Sequence, residues 1–325
     1  MDFREKTILI TGGTGSFGNK FAEIMLKEYQ PKKLIIFSRD ELKQHVMRQN
    51  GFTQSNLRYF IGDVRDRDRL YRALDGVDIV VHAAALKQVP ACEYNPIEAI
   101  ATNINGATNI VEAAIDRGVE RVLAMSTDKA TAPINLYGAT KLVSEKLFVQ
   151  GNAYAGDDGT RFAAVRYGNV VGSRGSVVPI FKEQARTGRL TVTDKRMTRF
   201  WITLEQGVRF VISCIEQMHG GEIFIPKLPS MNLGELAQCI APDAEIDYIG
   251  IRPGEKIHEA MISQDESRQA VELEDRYIIL PAHPWWNKNY WQDSKSLPDG
   301  FEYSSDKNSW WLTQEELLKM AQSYE

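Results

Sequence analysis

The chain has 325 residues, 43% hydrophobic and 25% charged, with a formal charge of −4. That suits one large or two intimately joined globular domains, and the lack of any Lys/Arg block argues against nucleic acid or anionic lipid as the main partner. Three cysteines and five histidines are scattered in no metal or redox pattern, so free thiols, a reducing cytoplasm and no metal site are expected. Met1 to Lys6 run directly into a strand instead of an apolar signal core, and no run reaches membrane-spanning length.

Thr7 to Thr11 is a short apolar run, followed by Gly12-Gly13-Thr14-Gly15-Ser16-Phe17-Gly18 and a helical pattern from Phe17 to Tyr29. Strand, glycine turn and helix form a dinucleotide-binding opening. Gly12, Gly15 and Gly18 let the backbone turn tightly and approach a pyrophosphate, whose charge the helix N-terminus at Ser16 and Phe17 meets. An ordinary strand–helix turn would use the same glycines, but the context favours the nucleotide. Asn19-Lys20 after Gly18 exclude a Walker-type phosphate loop.

Alternation continues: strand Lys33 to Phe37, helix Glu41 to Arg48, strand Leu57 to Ile61, strand Asp78 to His82, helix Pro96 to Arg117 and strand Arg121 to Ser126. Strands interleaved with helices predict a parallel, doubly wound α/β sheet. Ser38-Arg39-Asp40 ends the second strand, where a cofactor ribose is read. Asp40 there would favour NAD, whereas Arg39 and Ser38 would grip a 2′-phosphate. NADP is preferred, because the basic and hydroxyl residues come first and Lys43 lies one turn further on. Asp63-Val64 follows the third strand, where an adenine would lie. Ala83 begins a run of small residues that would let the sheet edge lie against the cofactor, and Lys87 is a cation at that edge suited to a phosphate.

Ser126-Thr127-Asp128-Lys129 and Tyr137-Gly138-Ala139-Thr140-Lys141 stand close together in the sequence. A helix from Tyr137 to Gln150 puts Tyr137 and Lys141 on one face. Asp128 and Lys129 close the strand before it, so four titratable groups converge at one sheet edge. After strand Arg161 to Tyr167, the turn-rich stretch from Gly168 to Ser176 reads as a crossing into a second lobe. A helix at Leu204 to Met218 and a strand at Glu222 to Ile225 return to the sheet. The expected partition is 1–170 with 203–226 as the dinucleotide-binding domain and 171–202 with 227–325 as a smaller α/β substrate-binding lobe. The tryptophans of the tail read as local core or subunit contacts.

Thr11 to Gly18 and Tyr137-x-x-x-Lys141 resemble the two signatures of the extended short-chain dehydrogenase/reductase superfamily, whose fold is the doubly wound Rossmann sheet. Within it, the chain resembles the inverting UDP-N-acetylglucosamine 4,6-dehydratases that begin pseudaminic acid synthesis. The matching words are 38–44, 62–66, 82–87, 126–130, 133–141, 166–179, 197–203 and 252–256. Retaining nucleotide-sugar dehydratases have a glutamate where this chain has Lys129. The resemblance implies a tightly held NADP contacted also by Val170, a homo-oligomer, and UDP-N-acetylglucosamine as substrate. It assigns Lys87, Asn169, Arg174, Gly175, Ser176 and Val177 to the nucleotide sugar, with Arg252 on the diphosphate and Glu255 on the uridine ribose; a plain turn with an ion pair would explain the last two equally. It further implies Tyr137, acidified by Lys141 and the positive charge of the nicotinamide, as base at the 4-hydroxyl with Thr127 as its hydroxyl partner. Lys129, as a neutral amine of lowered pKa, would take the C5 proton, and Asp128 would protonate the departing 6-hydroxyl. A 4-epimerase needs no Asp128-Lys129 pair, and a non-catalytic dinucleotide binder needs neither Tyr137 nor Lys141.

Overall fold

The computed structural model describes residues 1–157, 159–171, 177–282 and 288–322. Its centre is a 10-stranded sheet. The strands β1 (Thr7–Thr11), β2 (Lys33–Ser38), β3 (Leu57–Ile61), β4 (Ile79–His82), β5 (Arg121–Met125) and β6 (Arg161–Val165) lie in the order β3-β2-β1-β4-β5-β6, all parallel. The strand Ile223–Pro226 follows β6 in parallel. The order reverses between β1 and β4, which opens a crevice at the carboxyl ends of those strands. β1 and β4 are buried along their whole length, as parallel strands covered on both faces must be.

Beyond Ile223–Pro226 the sheet turns antiparallel through Arg276–Ile279, Ala270–Glu272 and Lys295–Ser296. Those three strands come from the segment expected in the smaller lobe, yet they extend the large sheet. Short strands with few alternating residues left no periodic trace of that pairing. The rest of the later chain builds a separate core around Phe181, Trp201 and Leu236, with Arg189–Val192 paired to Glu245–Tyr248 and Thr198–Ile202 paired to Ser230–Asn232.

Among the described residues, the helices Arg67–Ala73, Val89–Tyr94, Val177–Ala185, Leu233–Ile240 and Gln314–Gln322 escaped the sequence pattern. The first buries only Leu70 and Ala73, so it has little apolar stripe; its legible sign was Asp66, whose carboxylate accepts from the Arg69 amide at 2.9 Å. The helix expected from Pro96 to Arg117 is interrupted by a π turn at Ala101–Asn105. There the Asn103 side chain accepts from the Leu86 amide at 2.8 Å and donates to the Leu86 carbonyl at 2.9 Å and to Thr140 at 3.0 Å. It thereby ties the exit of β4 to the helix that bears Tyr137. Among the described residues no helix is long and apolar enough to cross a membrane, and no cluster of His, Cys, Asp or Glu could hold a metal ion.

Candidate active site

A cavity of about 840 Å³ runs along the crevice and on between the large sheet and the smaller lobe. Gly12, Gly15, Ser16 and Phe17 line one end. Gly12 sits at φ +64°, and a Cβ there would stand 2.9 Å from the Ala84 backbone, so a side chain would both strain the turn and collide with the strand exit. Gly15 caps the helix Ser16–Ile24 without any side-chain acceptor. Its first amides therefore need partners from outside the helix, and beside a cavity of this length they fit the pyrophosphate of a dinucleotide. Gly18 packs the helix tightly on the turn, since a Cβ there would fall 2.3 Å from the Gly13 carbonyl oxygen.

Ser38, Arg39, Lys43, Asp63, Val64, Ala83 and Lys87 also line the cavity. Arg39 donates to Asp63 at 3.3 Å. Asp40 serves as helix cap, accepting from the Lys43 amide at 2.9 Å, and its carboxylate pairs with the Lys43 ammonium at 2.6 Å. Burial holds the Lys87 ammonium below its usual range.

The middle of the cavity holds Thr127, Asp128, Lys129, Tyr137 and Lys141. Asn135 begins the helix Leu136–Ala155 by accepting from the Gly138 amide at 2.8 Å. Gly138 is needed next, because a Cβ would meet the Lys129 carbonyl oxygen at 2.1 Å; that contact is what draws Tyr137 against the Thr127–Lys129 turn. Thr127 donates to Asp128 Oδ1 at 2.9 Å, and Lys129 Nζ donates to the same oxygen at 3.0 Å. On its other side Lys129 Nζ meets Glu259 Oε1 at 3.2 Å.

In the protein without its cofactor, two pKa values run opposite to the direction expected for the loaded site. Burial alone would lower the Lys129 ammonium, but the carboxylates of Asp128 and Glu259 reverse it, and the side chain is held as an ammonium above its usual range. Asp128, next to Lys129 in the sequence, has the larger share in this, and Glu259, 130 positions away, adds to it. Tyr137 is not acidic in the protein alone: burial pushes it up to about 12, against the pull of Lys129 and of a hydrogen bond with Thr127. The cation acting most on it is Lys129, not Lys141. Lys141 itself is pushed down to about 8 by burial, with Glu145 opposing.

Asn169, Val170, Val177, Arg252 and Glu255 line the far end; Arg174, Gly175 and Ser176 lie outside the described residues. Arg252 and Glu255 form an ion pair at 3.5 Å and also face the cavity, so the two readings of that turn coexist. Residues that sequence reasoning missed in the wall include Thr102, Tyr167, Thr191, Thr193 and Arg199. Arg199 donates to the carbonyls of Lys256 at 2.9 Å and Ile257 at 2.9 Å, fixing the segment between Glu255 and Glu259. Only its membership of the word 197–203 hinted at it.

The fold is that of an extended short-chain dehydrogenase/reductase, a doubly wound sheet with a cluster of titratable side chains in the crevice at its switch point. The chain belongs to the polysaccharide biosynthesis protein family, whose pattern matches residues 8–281. It is 54% identical over 327 residues to the UDP-N-acetylglucosamine 4,6-dehydratase (inverting) of Campylobacter jejuni, covering 98% of each chain. It is 44% identical to a UDP-glucose 4-epimerase of Rickettsia massiliae, over 85% of this chain and 83% of that one. Among solved structures, Pen from Bacillus thuringiensis superposes with a TM-score of 0.90 at 40% identity over 99% of both chains.

Proposed function

We propose that this protein is a C5-inverting UDP-N-acetylglucosamine 4,6-dehydratase that works with bound NADP, in the cytoplasm, on the way to bacterial nonulosonates such as pseudaminic acid. The observation behind this reading is the Thr127-Asp128-Lys129 turn packed against Tyr137 in one cavity, on a chain 54% identical to a dehydratase of that specificity. When bound, the nicotinamide supplies the acceptor for hydride from sugar C4 and the donor of hydride to C6. Tyr137 takes the 4-hydroxyl proton with Thr127 as hydroxyl partner, leaving a 4-ketone that acidifies C5–H. Lys129 passes its proton to Asp128 along their 3.0 Å hydrogen bond, which makes the amine and the acid that the next step needs. The amine removes the C5 proton as the C6–O bond breaks, and Asp128 protonates the departing oxygen, so water leaves. Reprotonation of C5 on the opposite face gives the 4-keto-6-deoxy product of inverted configuration.

NADP is preferred over NAD because Ser38, Arg39 and Lys43 share one wall with Asp40, whose carboxylate caps the helix Glu41–Gln49 and pairs with Lys43. Lys87, Asn169, Val177, Arg252 and Glu255, with Arg174, Gly175 and Ser176, are assigned to the nucleotide sugar. A homo-oligomer is part of the proposal, supported by Tyr94 and Ile97, which are 87% and 77% exposed on neighbouring helices. The 44% identity to a 4-epimerase keeps epimerisation as the second reading. Mass spectrometry of UDP-N-acetylglucosamine after incubation with the protein separates them. Loss of one water supports dehydration, unchanged mass with altered retention supports epimerisation, and an unaltered substrate defeats both.

A further inference from the structure

Glu259 is 2% exposed and stands behind the cavity wall rather than in it. Its Oε1 is 3.2 Å from Lys129 Nζ, and its Oε2 has no partner within the described residues. Its backbone is fixed from both sides: its amide donates to Ser305 Oγ at 3.0 Å, and its carbonyl accepts from the Ser305 amide at 2.8 Å. The adjoining strands Ala260–Ile262 and Tyr303–Ser304 pair antiparallel. A buried carboxylate with one oxygen unpaired is costly unless it serves a neighbouring charge, and the ammonium in reach is that of Lys129.

We propose that Glu259 is a positioning residue that holds the Lys129 side chain between itself and Asp128 and sets the proton affinity of that pair for the work at C5. The inference rests on the reading of Lys129 and Asp128 as base and acid. The charged and titratable groups facing Lys129 are Asp128 on its own turn, Tyr137 on the packed helix, and Arg199, Lys256 and Glu259 from the later segment. Arg199 Nε lies 3.9 Å from Glu259 Oε1, so it tempers the carboxylate without replacing it. Glu259 stabilises every protonated form of the pair. Removing its negative charge must therefore lower both steps in which the Asp128–Lys129 pair gains and loses protons.

The test is the pH profile of deuterium incorporation at C5 of UDP-N-acetylglucosamine by the cofactor-loaded enzyme in deuterated water. Glu259→Gln, which keeps size and shape, should move both limbs of the profile to lower pH by about one unit or more, a tenfold loss of proton affinity. Glu259→Asp keeps the charge and should leave the limbs near their wild-type positions while the rate falls. Cofactor content and reduction of the cofactor by substrate report whether either variant has folded and still performs the C4 step. A Glu259→Gln profile lowered in height with its limbs unmoved would mean a merely structural role and would overturn the proposal. If instead the wild type incorporates no deuterium and releases no water, the functional reading itself fails, whatever the variant does.

Discussion

The site is made of two halves that differ in how the chain supplies them. The first, Thr127 to Lys141, spans fifteen positions: one turn after β5 and the first turns of one helix. The second comprises Arg199, Arg252, Glu255 and Glu259, brought over the first by strands and loops of the later chain. In the first half, spacing alone decides which side chains meet. In the second, contact depends on long-range packing, and Glu259 adds to the hold that Asp128 of the first half already has on the Lys129 ammonium. Local motifs therefore bring the titratable groups together, and the later chain adds one more carboxylate to the charge that Lys129 meets.

Arg166 joins the halves, and removing it should have the largest effect on the fold. It is fully buried, with Nη2 2.6 Å from Glu145 on the Tyr137 helix and 3.0 Å from Glu266 in the later segment. Its Nη1 donates to Thr131 Oγ1 at 2.8 Å and to the Met261 carbonyl at 2.8 Å. Arg166→Met leaves two carboxylates unpaired and should cost about 3–5 kcal/mol in chemical denaturation. A loss below about 1 kcal/mol would show that the halves hold together without it.

The proposed chemistry divides along the same line. Tyr137→Phe should lower turnover by about 10²–10⁴-fold, the usual span for a lost acid–base group, and should stop reduction of the cofactor as well. Lys129→Met should cost a similar factor in water release, yet still permit hydride transfer from C4 and lose C5 exchange. Wild-type-like deuterium at C5 in Lys129→Met would transfer the base role to another group, Tyr137 being the nearest.

The large parallel sheet was legible because fully buried strands such as β1 and β4 read as apolar runs. The convergence of Asp128, Lys129, Tyr137 and Lys141 followed from helical spacing. The antiparallel extension at Ala270–Ile279 and the arrival of Glu259 beside Lys129 were not legible. Both depend on pairing between segments far apart, and short strands such as Ala260–Ile262 offer too few residues to show a period. The pKa directions were not legible because burial, which no motif displays, acts most on Tyr137, and because the carboxylates of Asp128 and Glu259 together hold the Lys129 proton.

A smaller effect belongs to the cofactor end, which lies wholly in the first-read part of the chain. Arg39 is exposed and its guanidinium bridges to Asp63 at 3.3 Å, so replacing it alters binding more than fold. Arg39→Glu should weaken NADP by roughly 10–100-fold, the loss of one charge-assisted contact to a 2′-phosphate, and leave NAD nearly unaffected. Equal loss of both cofactors by calorimetry would remove the 2′-phosphate reading of Ser38-Arg39.

A last test asks whether Lys141 follows its local surroundings. Burial holds its folded pKa at about 8, below the 10.5 of the unfolded side chain. Between those values the unfolded chain binds more protons than the folded one, so this group's contribution to stability rises with pH from about 8 to 10.5 and is lost as pH falls through 8. Lys141→Met has no such dependence. In cofactor-free protein the variant's thermal stability relative to wild type should be greatest below pH 8 and should decline as pH is raised toward 10.5. Tyr137 affects both proteins alike: its folded value near 12 against 10.0 unfolded makes stability fall above pH 10 in each, and the difference between them cancels it. A difference that stays constant across pH 7 to 10.5 would mean that Lys141 keeps its proton in the folded state. A second clamp would then be at work there, with Glu145, four residues along the same helix, as the carboxylate to replace next.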